Sequence, residues 1–321
     1  MKAWTADIEC HIQSWSERLG SLNWWPKYVY HFTDVNNAVR IIRSGSLYSR
    51  SECLRLNLMA VDNANVEVIQ QTQREHLDFV RLYFRPRTPT QFRNEGIRPI
   101  GQRDGSGAHC PVPVFFCFDT LGILSMDESE FSNGNMASID VEHHSDREFF
   151  LSIPFQYVFH NSWFSSDMRH TIVFHRNAEV LVPHRLPLKP HLKFIACRSA
   201  AERQTLLHFL PPRFRRSWSP LIRIGESGFF ERKWTFIEEV VVVDDKVVFR
   251  FNPSTITPGP FTVRMTYQES GSTQVLQWEG ANLLRSARQV RIPNAIRGEV
   301  RLYLDDTLAF ADTLIFEDLP F

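Results

Sequence analysis

The spacing of apolar positions along the chain divides it into a mixed region and an all-strand region. Ile8, Ile12, Trp15 and Leu19 recur at helical intervals between polar residues, which predicts an amphipathic surface helix over residues 5–20, stopped by Gly20. Tyr28-Val29-Tyr30-His31-Phe32-Thr33 is aromatic and β-branched, a strand in which Val29, His31 and Thr33 share one face. Asp34 can cap a following helix, Val35 to Ser44, which packs through Ala38, Ile41 and Ile42 and ends at Gly45. Residues 46–78 are polar, with weak helical periodicity over 66–74, and predict a loop-rich region that closes over something.

Leu82-Tyr83-Phe84 returns to strand, and a stretch broken by Pro86, Pro89, Gly96, Pro99, Gly101, Gly105 and Gly107 follows. Val114-Phe115-Phe116-Cys117-Phe118 has no polar position, as expected of a central strand covered on both faces. After a loop over 125–137, strands are expected at 148–153, 171–174, 178–182 and 193–197. Ser199-Ala200-Ala201-Glu202 is a capping-box pattern opening a helix that runs to about Leu210. Residues 211–233 are a connector rich in proline and arginine. From Trp234 onward, strand patterns recur at 234–243, 246–252, 261–267, 274–278, 287–292, 299–304 and 307–316. Turn signals at Asp244-Asp245, Gly271 and Asp305-Asp306 separate them, which predicts an immunoglobulin-like β-sandwich.

With 26 Phe and 8 Trp among 321 residues there is ample apolar material for a packed core. Formal charge is zero, so the whole protein offers no long-range attraction for phosphate or anionic lipid, and any nucleic-acid contact must come from local basic patches. The five cysteines, Cys10, Cys53, Cys110, Cys117 and Cys197, are widely spaced without a Cys-x-x-Cys pair. That argues against a disulfide framework and a structural zinc site and fits a reducing, cytoplasmic setting. No run approaches the roughly 20 apolar residues of a membrane span, so no membrane partner is expected.

Self-sufficient motifs are missing: there is no phosphate-binding glycine loop, dinucleotide turn, nucleophile elbow or His-Glu-x-x-His. Tyr30-His31-Phe32-Thr33, Tyr83-Phe84-Arg85-Pro86-Arg87-Thr88-Pro89, Pro113-Val114-Phe115-Phe116 and Arg176-Asn177-Ala178-Glu179-Val180-Leu181-Val182 follow one another in this order. Together they resemble the DarT family of toxin ADP-ribosyltransferases, over roughly residues 24–210. The resemblance implies transfer of ADP-ribose from NAD⁺ to a base of single-stranded DNA, with RNA as the alternative acceptor, in a toxin–antitoxin or anti-phage setting. It also implies an α/β (α+β) fold with a split mixed sheet and a cognate antitoxin as partner, while His109-Cys110, His143-His144 and His170 with His175 lack metal-ligand spacing, so no metal is expected. Residue patterning adds an N-terminal helix over 1–23, a linker over 211–233 and a β-sandwich over 234–321 around the transferase domain over 24–210, and the resemblance says nothing about the helix or the sandwich. A rival reading is a catalytically inert binding module whose sandwich carries the function.

By position, Glu179 matches the family's catalytic glutamate, whose carboxylate stabilises the oxocarbenium-like ribose and can take the proton leaving the attacking base. Otherwise it is a solvent-facing strand residue. His31 matches the histidine that hydrogen-bonds the NAD⁺ ribose, with Thr33 a weaker candidate for the same pocket; the plain reading of His31 is a histidine bonded to backbone. Arg74 stands where the family keeps an arginine near the NAD⁺ phosphates and reaction centre, and Arg81, Arg85 or Arg87 can take that role instead. Tyr83, with Phe84, can offer a ring to nicotinamide or to a base, or be core. Asn133 and Asn135, in Phe131-Ser132-Asn133-Gly134-Asn135, can read a base edge or simply make a tight turn. Residues 211–216, with Phe214 among three arginines, can hold a phosphate backbone or be a solvated linker.

Overall fold

The structure is a computed structural model that describes residues 1–58, 74–103, 109–282, 284 and 287–316. Helix α1 (Thr5–Arg18) is followed by β1 (Tyr28–Asp34), α2 (Val35–Ser44), β2 (Ser46–Tyr48), α3 (Arg50–Arg55) and β3 (Phe79–Tyr83). Next come α4 (Pro89–Asn94), β4 (Pro113–Asp119), α5 (Thr120–Leu124), β5 (Glu130–Ser132), β6 (His143–His144) and α6 (Arg147–Ser152). Then follow α7 (Phe155–Val158), α8 (Arg169–His175), β7 (Glu179–Pro183), β8 (Arg185–Pro187), β9 (Leu192–Cys197), α9 (Ala200–Phe209), α10 (Pro212–Trp218) and β10 (Ile222–Ile224). Seven strands complete the chain: β11 (Ile237–Val243), β12 (Lys246–Phe251), β13 (Phe261–Glu269), β14 (Val275–Asn282), β15 (Ala287–Arg291), β16 (Arg297–Leu304) and β17 (Thr307–Ile315).

An eight-stranded sheet has the order β10-β9-β4-β1-β3-β7-β5-β6, and β2 pairs with β8 in a small ribbon. The mixed α/β class expected from the sequence is the one observed. Contacts group the chain into two compact units, one of residues 1–32, 40–93 and 115–195, the other of 33–39, 94–114 and 196–321.

In the first unit, the pairs β1·β3, β3·β7, β7·β5 and β5·β6 are antiparallel. An aromatic cluster fills the space beside them: Phe131 and Phe150 lie 5.1 Å apart between centroids, Phe150 and Phe155 5.5 Å, and Phe84 meets Phe155 edge-on at 5.2 Å. Helix α1 closes this cluster through Trp15, 5.5 Å from Phe159. Two segments read as strands are helices. Residues 148–153 lie in and just after α6, started by the Asp146 carboxylate accepting the Phe149 N–H at 2.9 Å, and residues 171–174 lie within α8. Short apolar runs carry too few periods to distinguish strand from helix, and a local cap decided the first of them. The helical periodicity expected over 66–74 falls almost wholly outside the described residues.

In the second unit all seven C-terminal strands appear where alternation predicts them. They form a three-stranded sheet, β11-β12-β15, and a four-stranded sheet, β14-β13-β16-β17, the pairs being antiparallel. Lettered A to G, the sheets are A-B-E and D-C-F-G, so the fourth strand joins C, F and G rather than A, B and E. Inward positions interleave into one core, with Val247, Phe249 and Phe251 from one sheet and Val263, Met265, Val300, Leu302 and Phe310 from the other. The stretch 211–233 holds α10 and β10, the latter at the edge of the large sheet. The Ser199 hydroxyl caps α9 by accepting the Glu202 N–H at 3.1 Å, but Glu202 turns its carboxylate to Arg198 instead of completing the box.

Candidate active site

Glu179 is the first residue of β7 and is 3% exposed. Its place is fixed from both neighbouring strands. On one side it stands directly opposite Tyr83 of β3, which in turn pairs with Tyr30 of β1. On the other, its backbone N–H donates to the Ser132 hydroxyl at 2.8 Å, and that hydroxyl donates onward to the Gly134 carbonyl at 2.8 Å. Gly134 is required by a close approach, since a Cβ there would fall 2.2 Å from Cε1 of Phe174.

Because Tyr83 pairs with Glu179 and Arg81 with Leu181, Arg81 and Tyr83 lie on the same side of β3 as the Glu179 side chain. Arg81 reaches diagonally: its Nε is 3.6 Å from Glu179 Oε2 and its Nη2 donates to the His76 carbonyl at 3.2 Å. A gap of 3.6 Å is an ion pair without a hydrogen bond. Glu179 Oε2 is accordingly buried and accepts no hydrogen bond among the described residues. Burial pushes the Glu179 carboxyl up to about 7, and the Arg81 charge opposes that rise. Burial, then the Glu179 charge, pushes the Tyr83 phenol well above its usual range, against a hydrogen bond with Thr90 and the Arg81 charge. Thr90 continues to the Asn177 side-chain oxygen at 3.3 Å, and Asn177 Nδ2 donates to the Val173 carbonyl of α8 at 3.0 Å.

His31 donates from Nδ1 to the Arg81 carbonyl at 3.3 Å, and its ring is 6.4 Å from that of Phe116. Burial brings its pKa down to about 4 against the opposing effect of that hydrogen bond, so the ring is neutral at pH 7. With Nδ1 protonated, Nε2 is an acceptor, the form suited to a ribose hydroxyl. Arg81 thus touches Glu179 through its side chain and His31 through its backbone.

The other residues singled out in the sequence fare unevenly. Thr33 is buried on β1. Arg74 opens a 3-10 turn, Arg74–Asp78, and its side chain lies outside the described residues. Arg87 adopts a left-handed backbone, φ 56°, and its N–H donates to Gln91 Oε1 at 2.6 Å. Asn133 and Asn135 put their side-chain oxygens to use within their own loop, accepting the Glu142 and Ala137 N–H groups at 3.1 Å each. Arg85 is buried, its guanidinium 4.3 Å from the Trp25 ring and bonded to the carbonyls of Pro86, Val158 and His160. Ser132 and Thr90 were not singled out in the sequence, because strand pairing brings the first to Glu179 and side-chain hydrogen bonds to Tyr83 and Asn177 bring the second. Among the described residues no group of three or more His, Cys, Asp or Glu side chains could hold a metal ion, and no helix is long and apolar enough to cross a membrane.

No curated protein matches the chain. Among solved structures, Thermus sp. 2.9 DarT in complex with NAD⁺ aligns at 15% identity and a TM-score of 0.47, covering 64% of this chain and 98% of that one. Thermus sp. 2.9 DarT in complex with ADP-ribosylated ssDNA aligns at 15% identity and a TM-score of 0.49, covering 64% and 97%. Residues 30–230, more than half of the chain, match the family described as ssDNA thymidine ADP-ribosyltransferase, DarT. The chain belongs to the DarT family.

Proposed function

We propose that this protein transfers ADP-ribose from NAD⁺ to a thymine base of single-stranded DNA, with Glu179 as the catalytic carboxylate, Arg81 as its partner and His31 as a ribose contact. The observation that carries the reading is Glu179 Oε2, a buried carboxylate oxygen without a hydrogen bond among the described residues, beside a guanidinium 3.6 Å away. A buried acceptor left open costs free energy unless a ligand completes it. The family's description names the acceptor, thymidine of single-stranded DNA, and the group transferred, ADP-ribose, for which this reading takes NAD⁺ as donor.

As the bond from C1′ of the ribose to the nicotinamide nitrogen breaks, its electron pair leaves with nicotinamide and positive charge builds on the ribose. Ionised Glu179 stabilises that charge in a site shielded from water. Thymine in a nucleoside has one ring N–H, at N3; N3 bonds to C1′ and its proton passes to the Glu179 carboxylate. A carboxyl with a pKa of about 7 is suited to accept that proton and release it at neutral pH. Unstacked bases need no extrusion from a duplex, which favours single strands. A toxin role restrained by an antitoxin accompanies this reading, and growth arrest on expression that is lost in Glu179→Ala tests it.

Nucleoside mass spectrometry after incubation with NAD⁺ and matched oligonucleotides tests the chemistry. ADP-ribosylated thymidine from single-stranded DNA is expected; modification of RNA alone, or of neither polymer, contradicts it.

A further inference from the structure

Between α7 and α8 the chain crosses residues 159–168, and Trp163 at the middle of that crossing is 85% exposed. Its neighbours are held firmly. Arg85 bonds the His160 carbonyl from Nη1 and the Asn161 side-chain oxygen from Nη2 at 3.2 Å. Arg176 bonds His160 Nδ1 at 2.9 Å and the Ser162 carbonyl at 3.4 Å, and lies 5.0 Å from the Phe164 ring centroid. Residues on both sides of Trp163 are therefore pinned while the indole itself is turned outward.

The two arginines belong to the segments that carry the candidate site. Arg85 is two residues beyond Tyr83, and Arg176 is three before Glu179. An exposed indole on an anchored loop is a flat ring that loses little freedom when another flat ring covers it. The bases of single-stranded DNA offer such rings, and stacking tolerates any base because each has a π face.

We propose that Trp163 is a substrate-binding residue that stacks on a nucleobase of the single-stranded DNA. The inference rests on the DNA-modifying reading above, and deepens it by naming a contact to the polymer apart from the reacting base. Replacing a stacking aromatic with alanine typically weakens single-strand binding by about tenfold or more. Trp163→Ala is expected to raise KM for a single-stranded oligonucleotide by about that factor, with kcat and the KM for NAD⁺ unchanged, while Trp163→Phe keeps most of the affinity. Titrating oligonucleotide should also quench tryptophan fluorescence more in the wild type than in Trp163→Phe.

Wild-type protein is assayed alongside. An active wild type with an unchanged oligonucleotide KM in Trp163→Ala overturns the stacking role alone, and is the outcome if Trp163 serves a protein partner instead. A wild type that transfers nothing to DNA overturns the underlying functional reading and the stacking role with it.

Discussion

Arg81 Nε stands 3.6 Å from Glu179 Oε2, reaching across from the neighbouring strand to a carboxylate that burial disfavours as an anion. The pairing favours the charge that the proposed chemistry requires without spending the oxygen's hydrogen-bonding capacity, because the gap is too long for a hydrogen bond. Removing the guanidinium takes away the interaction that restrains the carboxyl's rise. In Arg81→Gln the pH profile of kcat/KM for NAD⁺, which should climb through about 7 in the wild type as Glu179 ionises, is expected to move its midpoint to higher pH, with activity at neutral pH down by about tenfold. An unmoved midpoint would mean that Glu179 does not sense Arg81.

The same carboxyl makes a stability prediction of definite sign. Its folded pKa, about 7, lies above the usual 4.5, so the folded state holds the proton more tightly and this group's contribution falls as pH rises from 4.5 to about 7. At about 1.4 kcal/mol per pH unit the ceiling on that loss is about 3 kcal/mol. Glu179→Gln cannot ionise and escapes it. Urea unfolding at about pH 5 and about pH 8 should show the variant gaining on the wild type at the higher pH, and a constant difference between the two proteins would contradict the raised pKa.

Ser132 holds the backbone at Glu179 rather than its carboxylate. Ser132→Ala leaves the Glu179 N–H and the Gly134 carbonyl without that buried partner, a cost of about 1–3 kcal/mol. Thermal unfolding should show the loss, accompanied by a lower kcat as β7 loses its anchor. A melting temperature equal to the wild type's would show that the hydroxyl is dispensable.

In the second unit, Arg198 is fully buried and bonds both Glu202 oxygens, the Glu95 carboxylate at 3.4 Å and the Pro111 carbonyl at 2.9 Å, with Phe236 stacked 4.0 Å away. Glu95 in turn accepts the N–H groups of Glu231 and Arg232 at 2.9 and 2.8 Å. Arg198→Ala strands two buried carboxylates and is expected to cost about 3–5 kcal/mol in denaturant unfolding. A loss under about 1 kcal/mol would mean that the carboxylates readily find water or protons instead.

The sandwich was legible in the sequence because its strands bury one face only, so alternation survives in β13 and β16 as a regular in-and-out pattern. Helices α6 and α8 were not, since Phe149, Phe150 and Leu151, or Ile172, Val173 and Phe174, are too short a run to show a period. Glu179 and His31 were visible only through family resemblance. Arg81 was one of three alternatives to Arg74 that the sequence could not rank, because the register that aims it at Glu179 is a property of the paired strands. Trp163 gave no signal either, as exposure is fixed by what the neighbours hold.

The most direct measurement compares wild type and Glu179→Gln, both shown to be folded, for nicotinamide release and for the mass of a thymine-containing single-stranded oligonucleotide in the presence of NAD⁺. The wild type should release nicotinamide as the oligonucleotide gains one ADP-ribose, and the variant should do neither. A variant that modifies the oligonucleotide at the wild-type rate would remove Glu179 from the centre of the chemistry.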